Sequence, residues 1–187
     1  MVLVVPVRCD WGMYQGDASH DGVAYFQPID NPTLLWNESS NTVFSSPIIS
    51  QGVVYVGANN SRMYALNESN GLIIWSFLTS NSILTTPCVG LTHIFFGTSD
   101  NKIYSLFKDN GTIAWMDNFD SSSAFIGSLI INTITQIIYV GSTNGYLYAL
   151  NATNGSTIWS FADGQINVSP VENYGLIYFG VKPNRPM

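Results

Sequence analysis

Four positions recur in this chain at fixed offsets, three times over and without a gap. Counted from the glycine that closes a Tyr-Val-Gly or Phe-Phe-Gly run (Gly57, Gly97, Gly141), a tyrosine follows seven residues on (Tyr64, Tyr104, Tyr148). An Asn-Gly pair comes next (Asn70-Gly71, Asn110-Gly111, Asn154-Gly155), and a tryptophan stands 18 residues after the first glycine (Trp75, Trp115, Trp159). A period near 40 residues marks a repeat architecture, in which each unit is a supersecondary structure that buries its apolar face only by stacking on its neighbours. Counted from Trp36, the steps between tryptophans are 39, 40 and 44. The longer third step has a local cause. Pro47, Pro87 and Pro170 each lie ten residues before a glycine, but the third unit reads "IGSLIINTITQIIYVG", with three extra residues around Asn132 to Gln136. That insertion predicts a lengthened hairpin loop.

Within a unit the pattern is that of strands. The first offers "SPIIS", "VVYVGA", "RMYAL" and "LIIWSFL", short runs rich in Val, Ile, Tyr and Phe, set apart by Gly, Asn and Ser. No window sustains a 3.6-residue apolar period, so few helices are expected. Four strands per unit of about 40 residues is the pattern of a β-propeller blade, which makes the fold class all-β. The Asn-Gly pair supplies positive φ in a tight connection between the third and fourth strands. The tryptophan then falls on the fourth strand, where it can dock against the neighbouring blade.

Three complete blades are expected, with two strands of a fourth from Val168 to Val181 and a lone strand at Thr33 to Trp36. Residues 1–32 read as an opening segment and 33–187 as the propeller. Eight such units need about 320 residues, so the expectation is part of a ring. The strand at Trp36 would close the last blade, with its partner beyond residue 187. The apolar start "MVLVVPVRCD" has no basic region before it and reads as the tail of a leader.

Composition removes several function classes. Lys and Arg number 6 against 12 Asp and Glu, with no basic cluster, so a surface tracking nucleic-acid phosphates is excluded. No stretch approaches the roughly 20 apolar residues of a membrane helix. Cys9 and Cys88 are too few for a disulfide framework and too far apart for a zinc knuckle; they read as two unrelated thiols, with one bridge between them as the alternative.

The spacing Ala65, Asn67, Gly71, Trp75 resembles the tryptophan-docking signature of pyrroloquinoline-quinone-type repeats, Ala-x-Asp-x-x-x-Gly-x-x-x-Trp. Ala149, Asn151, Gly155 and Trp159 match it equally, and Ser105, Phe107, Gly111 and Trp115 less fully. The aspartate position is Asn, Phe and Asn, which alters that residue's hydrogen bond in every blade. "WGMYQGDASHDG", Trp11 to Gly22, resembles the segment that opens many such propellers. The resemblance implies a propeller, usually eight-bladed, found in quinoprotein dehydrogenases and in scaffolds such as the outer-membrane assembly lipoprotein.

Quinone chemistry in that family would need a Ca²⁺ pocket, a catalytic aspartate and, commonly, a disulfide between adjacent cysteines. No adjacent cysteines occur here. Asp10, Asp17, Asp21 and Asp30 gather in the opening segment, and Asp117 to Asp120 ("DNFD") in an inter-blade loop, without a complete Ca²⁺ spacing. They read as solvated turn residues. His20 and His93 have no triad or metal constellation beside them in sequence, and His93 is expected at a strand start. The glycines of "DNGTIAW" precede strands and not helices, so no phosphate loop follows. No catalytic, metal or cofactor residue is assigned; pyrroloquinoline quinone and Ca²⁺ are not expected.

Asn37, Asn59, Asn67, Asn110, Asn151, Asn154 and Asn167 each head an Asn-x-Ser/Thr triplet, and would carry glycans if a eukaryote secreted the chain. Several arise from the repeat itself and read first as surface-turn composition. The leading expectation is a non-catalytic, extracytoplasmic propeller that binds a protein partner through inter-blade loops or an unpaired strand edge, and self-associates through exposed blade edges. The alternatives are a fragment of a quinone-dependent dehydrogenase, or a sensory propeller of a larger enzyme.

Overall fold

A computed structural model describes residues 2–4, 34–38, 42, 45–119, 124–125, 127–162, 166 and 168–181. In chain order its strands are β1 (Val2–Val4), β2 (Trp36–Glu38), β3 (Ile48–Ser50), β4 (Val53–Gly57), β5 (Arg62–Asn67), β6 (Ile73–Leu78), β7 (Cys88–Val89) and β8 (His93–Gly97). They continue with β9 (Lys102–Phe107), β10 (Ile113–Asn118), β11 (Ile130–Asn132), β12 (Ile137–Gly141), β13 (Tyr146–Asn151), β14 (Thr157–Ala162), β15 (Val171–Asn173) and β16 (Leu176–Tyr178). Each repeat is one four-stranded antiparallel sheet, β3 to β6, β7 to β10 and β11 to β14, and β15-β16 and β1-β2 are separate two-stranded sheets. These are propeller blades, three whole and one partial.

Local chemistry sets each reversal. The first hairpin turns at Gln51-Gly52, with φ of 52° and 78°, and the partial blade at Tyr174-Gly175, with 50° and 77°. Two consecutive positive φ values match the right-handed twist of the flanking strands. In the third blade the insertion is a longer turn, where Asn132 Oδ1 accepts the N–H groups of Ile134 and Thr135, both at 3.0 Å.

Blades touch one another through their first strands, β3 to β7, β7 to β11 and β11 to β15, whereas β14 is exposed along its length. First strands are therefore innermost and fourth strands outermost. The core lies between sheets. Ile48, Tyr55, Met63, Ala65 and Trp75 of the first blade pack with Val89, Ile94, Phe96, Tyr104 and Leu106 of the second. Cys88, Phe95 and Ile103 pack in turn with Ile131, Ile138, Val140 and Leu150 of the third. The Cys88 thiol is free, and burial pushes its pKa up.

One row crosses every blade at the same height: Ile48, Tyr55, Ala65, Trp75, then Cys88, Phe95, Ser105, Trp115, then Ile130, Tyr139, Ala149, Trp159. The aromatic of the second strand meets the indole of the fourth at the same centroid distance, 5.9 Å, in all three blades. The small residue between them lets the rings approach. Ser105 stands where its sister blades carry alanine, and its buried hydroxyl has no hydrogen-bond partner among the described residues. Removing an unsatisfied buried hydroxyl recovers its desolvation cost. Ser105→Ala is therefore expected to raise stability by about 1 kcal/mol, read as a higher denaturation midpoint at unchanged m-value.

Two expectations need correction. The strand at Trp36 spans Trp36–Glu38, and its partner is Val2–Val4, not a strand beyond residue 187. The apolar start that reads as a leader tail contributes that pairing. In "DNFD", Asp117 and Asn118 are the last two residues of β10 and belong to a strand, not to an inter-blade loop. Trp11 to Gly22, Cys9, His20, Asp10, Asp17, Asp21, Asp30, Asp120 and Asn167 lie outside the described residues.

Candidate functional site

The repeated residues build two kinds of junction, a docking seam between blades and a laced loop face at one end of them. The seam begins with the third-to-fourth-strand connection. In the first blade Gly71 N–H donates to the Asn67 carbonyl at 2.9 Å, and Gly111 and Gly155 donate to Phe107 and Asn151 at 2.9 and 2.8 Å. The glycines hold φ of 73°, 69° and 78°. Of each Asn-Gly pair only the glycine is left-handed. The asparagine instead caps the turn through Oδ1, which accepts Leu72 N–H at Asn70, Thr112 N–H at Asn110 and Ser156 N–H at Asn154, at 2.9 to 3.0 Å. At the family's aspartate position, Asn67 and Asn151 accept from Ser69 N–H and Thr153 N–H at 2.9 and 2.8 Å. Phe107 has no such oxygen.

The preceding tryptophan lies on that turn. Trp36 Nε1–H donates to the Glu68 carbonyl at 2.7 Å, Trp75 to Lys108 at 2.7 Å and Trp115 to Ala152 at 2.9 Å. A Cβ on Gly71, Gly111 or Gly155 would come within 2.6, 2.5 and 2.6 Å of the same three indoles. Glycine is thus required twice at each turn, once for the backbone angle and once for the ring. Trp36 docks as the fourth-strand tryptophan of a blade preceding the first. Trp159 shares the cross-strand environment of its sisters but has no receiving turn among the described residues, and it is 39% exposed against 9% for Trp75.

The loop face is formed by the second-to-third-strand turns and the crossovers between blades. Each crossover sends one apolar side chain inward, Ile83, Phe125 or Ile166, all fully buried. A Cβ on Gly57, Gly97 or Gly141 would lie 2.3, 2.6 or 2.2 Å from that side chain. The glycine of the repeated "YVG" run is therefore the seat of the crossover. The same three residues donate N–H to the turns, Ile83 to Ala58, Phe125 to Thr98 and Ile166 to Ser142.

Polar groups lace neighbouring blades across this face. Ser82 Oγ donates to the Asn59 carbonyl of the first blade at 2.9 Å, while the Ser82 carbonyl accepts Ser99 N–H of the second at 3.0 Å. Buried Ser142 Oγ donates to Asn101 Oδ1 at 3.1 Å, joining the second blade to the third, and Ala124 N–H donates to Thr143 Oγ1 at 2.8 Å. Ser80 Oγ and Thr98 Oγ1 donate to Asp100 at 2.7 and 2.6 Å, and Lys102 Nζ pairs with it at 2.9 Å. Burial pushes the Asp100 carboxyl up, but the bonds from Thr98, Lys102 and Ser80 outweigh it and hold the pKa at about 2. The repeat tyrosines end here as well. Tyr64 and Tyr148 accept from Asn60 and Asn144 at 2.8 and 2.7 Å, and Tyr104 meets Ser80 at 3.2 Å.

Other singled-out residues stand apart from this face. His93 is the first residue of β8, its Nδ1 is 2.9 Å from Thr92 Oγ1, its ring lies 4.6 Å from Phe107, and burial lowers its pKa. Asn37, Asn59, Asn110 and Asn154 are exposed, and Asn67 and Asn151 are half-buried at strand ends. Among the described residues no three His, Cys, Asp or Glu side chains come together. No described helix is long and apolar enough to cross a membrane. The crossover anchors Ile83, Phe125 and Ile166 are invisible to a fixed-offset reading, because they follow their glycines at 26, 28 and 25 residues.

Residues 23–172 match the family model described as outer membrane protein assembly factor BamB. BamB from Moraxella catarrhalis superposes with a TM-score of 0.69 at 17% identity, over 79% of this chain and 46% of that one. Quinohemoprotein alcohol dehydrogenase from Comamonas testosteroni gives 0.72 at 19% identity, over 83% and 27%. A europium-containing methanol dehydrogenase gives 0.72 at 15% identity, over 84% and 32%. The chain thus spans less than half the length of these structures, of which BamB and the methanol dehydrogenase are eight-bladed propellers, and at such identities they share its fold alone. No curated protein matches the sequence.

Proposed function

The chain belongs to the family of outer membrane protein assembly factor BamB, and from that premise we propose that it is a non-catalytic propeller that binds a protein partner in an extracytoplasmic compartment. The observation that carries this reading is the laced loop face. Ser82, Asn101, Ser142 and Thr143 tie adjacent blades together before any partner arrives. A surface ordered in advance loses little conformational entropy on binding, which favours affinity from shape and exposed polar groups. Asn60 and Tyr146 lie exposed at that end of β5 and β13.

The test uses the 187-residue chain as bait in an extracytoplasmic extract, with variants on either end of the blades. Asn60→Arg with Tyr146→Arg is expected to lose the captured protein at least tenfold, while Asp109→Arg, at the opposite end, retains it. Equal loss from both variants, or dye reduction on an alcohol with added pyrroloquinoline quinone and Ca²⁺, would reverse the assignment in favour of a dehydrogenase fragment.

A further inference from the structure

Asparagine followed by glycine is chemically labile in water, and the pair stands at Asn70, Asn110, Asn144 and Asn154. In the reaction the glycine's backbone nitrogen bonds to the asparagine Cγ, and the side-chain nitrogen leaves as ammonia, taking the glycine's N–H proton with it. Water then opens the resulting cyclic imide to aspartate, or to isoaspartate, whose main chain runs through the side-chain carbonyl. At the three docking turns the fold opposes each part of this step. The attacking nitrogen is engaged, because Gly71, Gly111 and Gly155 donate N–H to the carbonyls of Asn67, Phe107 and Asn151 at 2.9, 2.9 and 2.8 Å. The attacked side chain is pinned. Asn110 Oδ1 accepts the N–H and the hydroxyl of Thr112 at 2.9 and 2.7 Å, Asn154 Oδ1 those of Ser156 at 3.0 and 2.8 Å, and Asn70 Oδ1 the Leu72 N–H at 3.0 Å.

Those two holds are local to each turn, and the third comes from another blade. Bringing the nitrogen onto Cγ requires the backbone between them to rotate, and the indole of Trp36, Trp75 or Trp115 lies over the glycine so closely that an added Cβ would come within 2.6, 2.5 or 2.6 Å of it. Gly111 and Gly155 are buried under their rings. Asn144 offers the contrast. Its pair lies in a second-to-third-strand turn, where Gly145 N–H donates to the Ser142 carbonyl at 3.1 Å, and Asn144 bonds to Tyr146 N–H and to the Tyr148 hydroxyl at 3.1 and 2.7 Å, all within its own blade.

We propose that Asn70, Asn110 and Asn154 are conditional deamidation sites, each kept intact by the tryptophan that docks on its turn and each released when that one seam opens. Local opening has a lower free energy than global unfolding, so a seam can part while the blades stay folded. Isoaspartate then adds a main-chain atom to a turn whose length is the same in all three repeats, the turn no longer matches the ring, and the opening becomes irreversible. The product records which seam has parted, whichever protein the loop face binds.

The test incubates the folded chain in mildly alkaline buffer and follows each Asn-Gly peptide by mass spectrometry, with isoaspartate identified by enzymatic methylation. Trp75→Ala is expected to speed deamidation of Asn110 at least about tenfold and to leave Asn154 and Asn144 near their original rates. Trp115→Ala is expected to do the reverse, speeding Asn154 and sparing Asn110. An equal rise at all sites in either variant would mean that global unfolding controls the reaction, and no rise would mean that the local bonds suffice; each overturns the proposal. If both truncations fail to fold, Trp75→Phe and Trp115→Phe carry the same crossed comparison. The unsubstituted chain must also deamidate at Asn110 at least about tenfold more slowly than a free peptide of residues 107–113, and equal rates would overturn the proposal as well.

Discussion

Trp75→Ala is expected to lower the unfolding free energy by about 3–5 kcal/mol. The indole is 9% exposed, wedged between Tyr55 of its own blade and the Gly111 turn of the next, and its N–H is bonded to the Lys108 carbonyl at 2.7 Å. Truncation removes the ring from the cluster that joins the first and second blades, and leaves that carbonyl unpaired at a site with little access for water. Trp75→Phe separates the two losses. It keeps an aromatic body in the seam and removes only the donor, so it is expected to cost about 1–2 kcal/mol. Chemical denaturation checks both. Equal midpoints for the two variants would show that the ring's contacts contribute nothing beyond the hydrogen bond.

The parts of this fold legible in the sequence are those that recur at constant offset. Tryptophan, Asn-Gly and tyrosine keep their spacing because each sits at a fixed rung of a strand or in a turn of fixed length, and none of the three copies carries an insertion between them. The lengthened turn at Asn132 to Gln136 is legible for the same reason, as a break in an otherwise constant count. Crossovers obey a different constraint. Ile83, Phe125 and Ile166 need only reach the seats at Gly57, Gly97 and Gly141, and loops of different length can deliver them, so polar, irregular stretches hide three fully buried anchors.

Position in the ring is a second thing that spacing does not carry. Trp75 and Trp159 have near-identical sequence surroundings, yet among the described residues only Trp75 has a receiving turn, because that turn belongs to the next unit. Trp36 shows the converse. It stands in no recognisable unit, but the turn that receives it lies in the first blade, and the Glu68 carbonyl and Gly71 identify its role. The loop face was legible only as composition. Which serine bonds to which blade depends on how adjacent sheets are set against each other, and the Ser142 to Asn101 bond spans 41 residues.

Gly111→Ala tests the seam from its other side, and the expected loss is about 2–5 kcal/mol from a single added methyl. Two costs combine. An L-residue at φ near 69° is disfavoured by about 1–2 kcal/mol, and a Cβ placed 2.5 Å from the Trp75 ring must displace it, an overpacking cost of about 1–3 kcal/mol. Only the second cost depends on the tryptophan. In a Trp75→Ala background the methyl enters vacated space, so the same substitution is expected to cost only the backbone part, about 1–2 kcal/mol. The interaction energy from the full double-mutant cycle is then about 1–3 kcal/mol. Gly52→Ala is the control, since its φ is similarly positive, at 78°, and nothing lies within 4 Å of the added Cβ. It should therefore lose about as much as Gly111→Ala does once Trp75 is gone. A cycle with no coupling would mean that the blades are held by their inner strands and that the indole merely rests on the turn.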